Sequence, residues 1–242
     1  MTARSVARRL EAYAQLMRLD RPIGTWLLLW PVLWALWIAG AGRPPERVLI
    51  IFVLGVFVMR AAGCVINDFA DRDIDPQVKR TRDRPLAARR LSPYEALVLF
   101  GVLIAIALWL VTRLDPLTIK LSVVGALLTV SYPLMKRWFP LPQFYLGLSF
   151  GGWGIPMAFA ATLGAIPRVG WVLFLAAVLW AMVFDTLYAM VDREDDRKLG
   201  VRSSALLFAD MDRLIVGAMQ AMMLFALYLA GRSMEFGPWY RA

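Results

Sequence analysis

The chain has 242 residues, is 60% hydrophobic and carries 27 basic against 18 acidic side chains, a net charge of +9. With a mean hydropathy of +0.60, this exceeds what a soluble domain of that length needs and points to an all-α polytopic membrane protein. The basic surplus then reads as contact with anionic headgroups, not nucleic acid; the lack of histidine sets aside most haem, zinc and copper chemistry, and the single cysteine, Cys64, allows no internal disulfide.

Residues 1–22, with Arg4, Arg8, Arg9 and Arg18, predict an amphipathic helix on the membrane surface. They are too polar for the apolar core of a secretory leader. Residues 23–242 are expected to form one transmembrane helical domain, with seven spans at about 23–41, 48–68, 95–113, 117–134, 141–163, 170–190 and 212–231. Along the first, Trp26, Trp30, Trp34 and Trp37 recur every three or four residues, a stripe suited to lipid or packing contacts.

The second span ends in Asn67-Asp68-Phe69-Ala70-Asp71-Arg72-Asp73-Ile74-Asp75. Counting from Arg60 at 100° per residue, Asn67, Asp71 and Asp75 fall at roughly −20°, +20° and +60°. One face therefore carries all four, while Asp73 points away, and Pro76 is expected to end the helix. A basic loop follows, Lys79-Arg80-Thr81-Arg82-Asp83-Arg84, and Lys136-Arg137 close the fourth span. In the fifth, Gly147, Gly151, Gly152 and Gly154 suit close helix packing better than phosphate binding. The sixth repeats the pattern of the second: from Asp185, Tyr188 lies at roughly −60°, Asp192 at −20° and Asp196 at +20°, with Glu194 turned away.

With the N-terminus in the cytoplasm, 18 lysines and arginines fall on that side and seven on the other, which fixes the orientation by the positive-inside rule. Both acidic motifs then open to the cytoplasm. Eight of the 18 acidic residues lie in these two stretches, and carboxylates beside a bilayer need a reason to be there. Facing carboxylate pairs raise one another's pKa, and magnesium relieves that repulsion while retaining room for water and phosphate oxygens. The basic loop and Lys136-Arg137 could clamp a polyanion; without a Walker loop, a nucleoside triphosphate is not expected. Asp185, Tyr188 and Arg60 lie inside the membrane and are expected to line the substrate site, whereas Lys79, Arg89 and Arg90 fit a purely topological role.

At these motifs the chain resembles the UbiA superfamily of intramembrane aromatic prenyltransferases. The matching residues are Asn67, Asp68, Asp71 and Asp75, with Asp192 and Asp196. Around them Arg18-Leu19-Asp20-Arg21-Pro22-Ile23-Gly24, Met59-Arg60-Ala61-Ala62-Gly63, Tyr132-Pro133-Leu134-Met135-Lys136-Arg137 and Asp185-Thr186-Leu187-Tyr188 are similar to the 4-hydroxybenzoate polyprenyltransferase branch. The resemblance implies nine transmembrane helices, of which seven are visible, the C-terminal ones being absent. It also implies that Asp71, Asp75, Asp192 and Asp196 hold two Mg2+ ions bridging a polyprenyl diphosphate. Asn67, Arg72, Lys136 and Arg137 would grip the diphosphate or orient the motif, Arg60 would lie on the side of the aromatic acceptor, and Asp185 near the reacting centre. The implied reaction joins the prenyl group to the ring carbon ortho to the hydroxyl of 4-hydroxybenzoate, for ubiquinone biosynthesis, in a bacterial inner membrane. The alternatives are an acceptor from menaquinone, haem or chlorophyll pathways or, in another class, a cation transporter. A transporter's acids belong near the midplane in broken helices, whereas these cluster at one face beside a basic loop.

Overall fold

The computed structural model describes residues 3–200, 202–237 and 240; the side chains of Arg4, Lys136 and Arg137 lie outside the described set. Among the described residues all regular structure is helical. The chain runs through α1 (Ala3–Leu16), α2 (Ile23–Ala39), α3 (Glu46–Asp71), α4 (Pro93–Val111) and α5 (Pro116–Trp138). The fifth span is interrupted: α6 (Pro142–Leu146), a π-helical stretch at Gly147–Gly152, then α7 (Gly154–Leu163). The rest comprises α8 (Arg168–Val191), α9 (Arg193–Leu199), α10 (Ser204–Phe208) and α11 (Asp212–Ser233).

Local chemistry sets many of these boundaries. Ser92 and Glu95 form a reciprocal capping box at the start of α4, with Pro93 at its first helical position. Asp115 caps α5 by accepting from the backbone N–H of Leu117 and Thr118, and Gly164 ends α7 in the left-handed region, with φ +69°.

All seven expected spans are helical, and six stretches are long and apolar enough to cross a bilayer. The first span differs: α2 has only 17 residues, about 25 Å, because it starts after Pro22 and stops at Gly40. A second difference concerns the first acidic motif. Its helix ends at Asp71 instead of continuing to Pro76, and Asp75 opens a 3-10 turn at Asp75–Gln77. Pro76 disfavours a helical Asp75, and the N–H of Ile74 already bonds the carbonyl of Asp71 at 2.9 Å. The second motif keeps helical spacing across a change of helix, since the N–H of Asp196 donates to the carbonyl of Asp192 at 2.9 Å.

Lipid is as apolar as leucine, so close packing and polar contacts, more than burial itself, hold such a bundle together. The central helix is α8, flanked by α7 and α2 through Phe159, Leu173 and Leu36 and by α11 through Val216 and Met219. The glycine stripe makes the fifth span lie directly on it: a Cβ at Gly147 would stand 2.9 Å from the carbonyl oxygen of Val178, and one at Gly151 would stand 2.6 Å from the Cβ of Ala181. Polar contacts reinforce this seam, with Ser204 donating from Oγ to Thr186 at 2.8 Å and from N–H to Gln143 at 3.0 Å. Helix α1 docks on α3 and α4 through Ala12 and Leu16, and its Arg9 and Tyr13 both bond Glu95. Trp26, Trp30 and Trp37 face outwards, about half exposed, while Trp34 meets Trp180 edge-on.

Candidate functional site

Helix α3 carries polar side chains along one face, from Arg60 to its Asp71 end. Arg60 lies eleven residues before Asp71, about 16 Å along the axis. Between them Gly63 admits the ring of Phe150, which a Cβ there would meet at 2.5 Å, and Phe150 is edge-on to the buried Tyr132 at 6.0 Å. Nearer the end, Asn67 donates from Nδ2 to Asp71 at 3.2 Å and so orients that carboxylate. Arg72 turns back on the end of its own helix, donating to the carbonyl of Phe69 at 2.8 Å with its guanidinium over the Phe69 ring.

The loop after α3 supplies the counter-charges. Asp68 is 1% exposed; both its oxygens accept from Arg18 at 2.8 Å, and Arg84 lies 3.1 Å from it. Arg84 also donates to Asp75 at 2.9 Å. The alternating chain Arg18–Asp68–Arg84–Asp75 ties α1, α3 and the loop together. Burial pushes the Asp75 carboxyl above its ordinary range, against the pull of Arg84. On the other side, Arg80 grips Asp192 with Nε at 2.9–3.0 Å and Nη2 at 2.5 Å. Those bonds hold its guanidinium more firmly protonated than usual, and Asp75 and Asp185 add to the effect. Arg80 thus stands between the two acidic motifs.

Beneath this mouth, α2, α3, α4, α5 and α7 border an apolar cavity of about 180 Å³ that opens to the surroundings. Phe52, Val56, Ile104, Val111 and Met157 supply much of its wall, while Arg60, Ser122, Thr129 and Ser149 are its polar points. Its lining reaches up to Arg60, below the acidic residues.

The structure therefore joins Asp75 to Arg84, Asp192 to Arg80, and Asn67 to Asp71. It leaves Asp185 and Asp196 partly buried on the α8–α9 side. Tyr188 is 52% exposed. Lys136 and Arg137 lie on the last turn of α5, their side chains outside the described set. Among the described residues no three acidic side chains stand close enough to share a metal ion. The donors nonetheless fit magnesium in kind: they are hard carboxylate oxygens in two groups, with Asp75 and Asp192 each paired to an arginine. Magnesium takes only one or two carboxylates per ion when phosphate oxygens complete its shell.

Sequence reasoning missed the partners of these acids. It gave Asp68 no partner, whereas its partners are Arg18 and Arg84. The alternation of buried acids with arginines in neighbouring segments was the available signal, but pairing across 112 positions, as for Arg80 and Asp192, leaves no periodic trace. Phe150 and Tyr132 were not singled out either.

The model of the UbiA prenyltransferase family matches residues 28–242. The chain is 58% identical over 232 residues to a 4-hydroxybenzoate octaprenyltransferase of Nitrosococcus oceani, covering 96% of this chain and 81% of that protein. It is 57% identical over 241 residues to the protein of the same name in Alkalilimnicola ehrlichii, covering 99% and 82%. Among solved structures it resembles a UbiA homologue from Aeropyrum pernix, with TM-score 0.77, 26% identity and coverage of 90% and 82%. It shares its fold with a UbiA homologue from Archaeoglobus fulgidus bound to GPP and Mg2+, with TM-score 0.74, 18% identity and coverage of 90% and 77%.

Proposed function

The chain belongs to the UbiA prenyltransferase family, and on that footing we propose that it transfers a polyprenyl group from an isoprenoid diphosphate to the ring carbon of 4-hydroxybenzoate ortho to the hydroxyl, the prenylation step of ubiquinone biosynthesis. It is an integral membrane protein; the bacterial inner membrane, with the site open to the cytoplasm, is the location its charge distribution favours. The observation that carries the reading is the union of two environments along α3: an arginine-bridged acidic mouth and, beneath it, an apolar cavity holding one guanidinium.

Asp71 and Asp75 on one side, and Asp192 and Asp196 on the other, would hold magnesium, which when bound neutralises charge on the diphosphate leaving group. Asn67 fixes the Asp71 carboxylate for that task. Arg80 and Arg84, which bond Asp192 and Asp75, lie where they can turn to phosphate oxygens as the diphosphate enters; Arg72, Lys136 and Arg137 add positive charge around it. As the allylic C–O bond ionises, its electron pair leaves with the diphosphate, and the apolar walls keep water from the cation. Phe150 and Tyr132 present aromatic rings between the mouth and Arg60, where ring quadrupoles stabilise positive charge. Arg60 binds the acceptor's carboxylate, which directs the hydroxyl end of the ring towards the mouth. The ring carbon attacks the allylic carbon, and its proton passes to a carboxylate of the Asp185–Asp192 side or to the diphosphate. The outward-facing Tyr188 has the smallest part in this scheme.

Removing a carboxylate from either group tests the metal assignment. Asp71→Ala and Asp192→Ala each forfeit several kcal/mol of charge stabilisation, so turnover of geranyl diphosphate with 4-hydroxybenzoate falls at least about a hundredfold. Wild-type turnover in both variants would overturn it. An ion-transport reading predicts instead a magnesium flux in liposomes with no diphosphate released.

A further inference from the structure

Arg60 differs from the other arginines around the site. Arg18, Arg80 and Arg84 are each held by aspartates, but among the described residues no carboxylate lies within ion-pair distance of Arg60. A long side chain without an anionic partner samples many rotamers, whereas recognition of a carboxylate needs the planar guanidinium in one orientation. Something else has to hold it.

The contact that does so is with α2. A Cβ added at Gly24 would come within 2.4 Å of Nη2 of Arg60, 2.8 Å of Nε and 2.9 Å of Cζ. The guanidinium therefore occupies the volume that any side chain at position 24 would fill. Gly24 sits in the first turn of the short α2, against Arg60 and one turn before Leu28, both of which line the cavity. Its backbone is not left-handed, so a need for conformational freedom does not account for glycine here; space does. We infer that Gly24 is a positioning residue: its missing side chain is the seat that fixes the Arg60 guanidinium for the carboxylate of the aromatic acceptor. This rests on the reading of Arg60 as that carboxylate's partner.

The chemistry of the contact makes the inference separable from stability. A methyl group at position 24 displaces Nη2 by about an ångström to reach ordinary contact distance. What it meets is the end of a flexible side chain, so the fold can accommodate it, and alanine is the better helix former. A displacement of that size in a positioning group is enough to lower catalytic efficiency by one to two orders of magnitude.

The experiment compares wild type, Gly24→Ala, Arg60→Ala and the double variant in the full chain, using geranyl diphosphate, magnesium, and either 4-hydroxybenzoate or its methyl ester. Gly24→Ala is expected to raise KM for 4-hydroxybenzoate about tenfold with little change in KM for the diphosphate. It should lower the acid-to-ester ratio of kcat/KM about tenfold, keep the wild-type melting temperature or exceed it, and add nothing in the Arg60→Ala background. Parallel losses on acid and ester, or an effect that adds to Arg60→Ala, would assign Gly24 to general packing and overturn the inference. An unchanged KM in Gly24→Ala beside a raised one in Arg60→Ala overturns the role of Gly24 alone. An unchanged KM in Arg60→Ala overturns the reading of Arg60 and the inference together.

Discussion

Asp68 is the residue on which the acidic end of the bundle converges. Its carboxylate is all but inaccessible and neutralised by Arg18 and Arg84. Taking away one side of such a buried pairing leaves uncompensated charge, so Asp68→Ala should destabilise the protein by on the order of 3–5 kcal/mol. Thermal unfolding in detergent would register this as a clear drop in melting temperature, and an unchanged value would contradict the structural role. Tyr13 makes a second prediction at this scale. Its hydroxyl donates to Glu95 at 2.5 Å, and that bond raises the phenol above its ordinary value of 10.0. A raised folded-state value means the contribution is fully present below pH 10.0 and lost as pH rises through the folded value. A fluorescent probe on α1 should therefore report undocking only in strongly alkaline solution, and Tyr13→Phe should remove that step.

At the scale of elements, the two kinds of glycine contact separate function from architecture. The missing Cβ of Gly24 faces a movable guanidinium, whereas that of Gly147 faces the carbonyl oxygen of Val178 on α8, which cannot move aside. Gly147→Ala should therefore destabilise the bundle by about 1–3 kcal/mol, read as a lowered melting temperature with substrate selectivity unaltered. The spans themselves were legible, because long apolar runs admit few alternatives in a bilayer. The glycine stripe was also legible as packing. Its π-helical turn was not, since extra residues per turn leave the hydropathy pattern untouched. The early end of α3 was hidden for a related reason: the angular pattern assumes a helix as far as Asp75 and carries no sign of the turn that closes after Asp71 and the 3-10 turn that opens at Asp75.

Across the whole molecule, the gathering of acids at the ends of apolar helices and the family could both be read from residue types and spacing. The counter-charges could not, because Arg80 and Asp192 meet only when the loop after α3 is brought to the end of α8, 112 positions away. Nor could the seat of Arg60, which depends on where the short α2 begins. The assembled molecule places an acidic, arginine-bridged mouth over an apolar cavity with a single guanidinium in it, an arrangement suited to a substrate with a diphosphate head and hydrocarbon tail and to a small aromatic acid. Mass spectrometry of the products formed by the purified protein from octaprenyl diphosphate, magnesium and 4-hydroxybenzoate tests that claim most directly. The expected result is one octaprenyl group on the carbon ortho to the hydroxyl with one diphosphate released, and diphosphate release without ring alkylation, or alkylation only of an acceptor lacking a carboxylate, would contradict it.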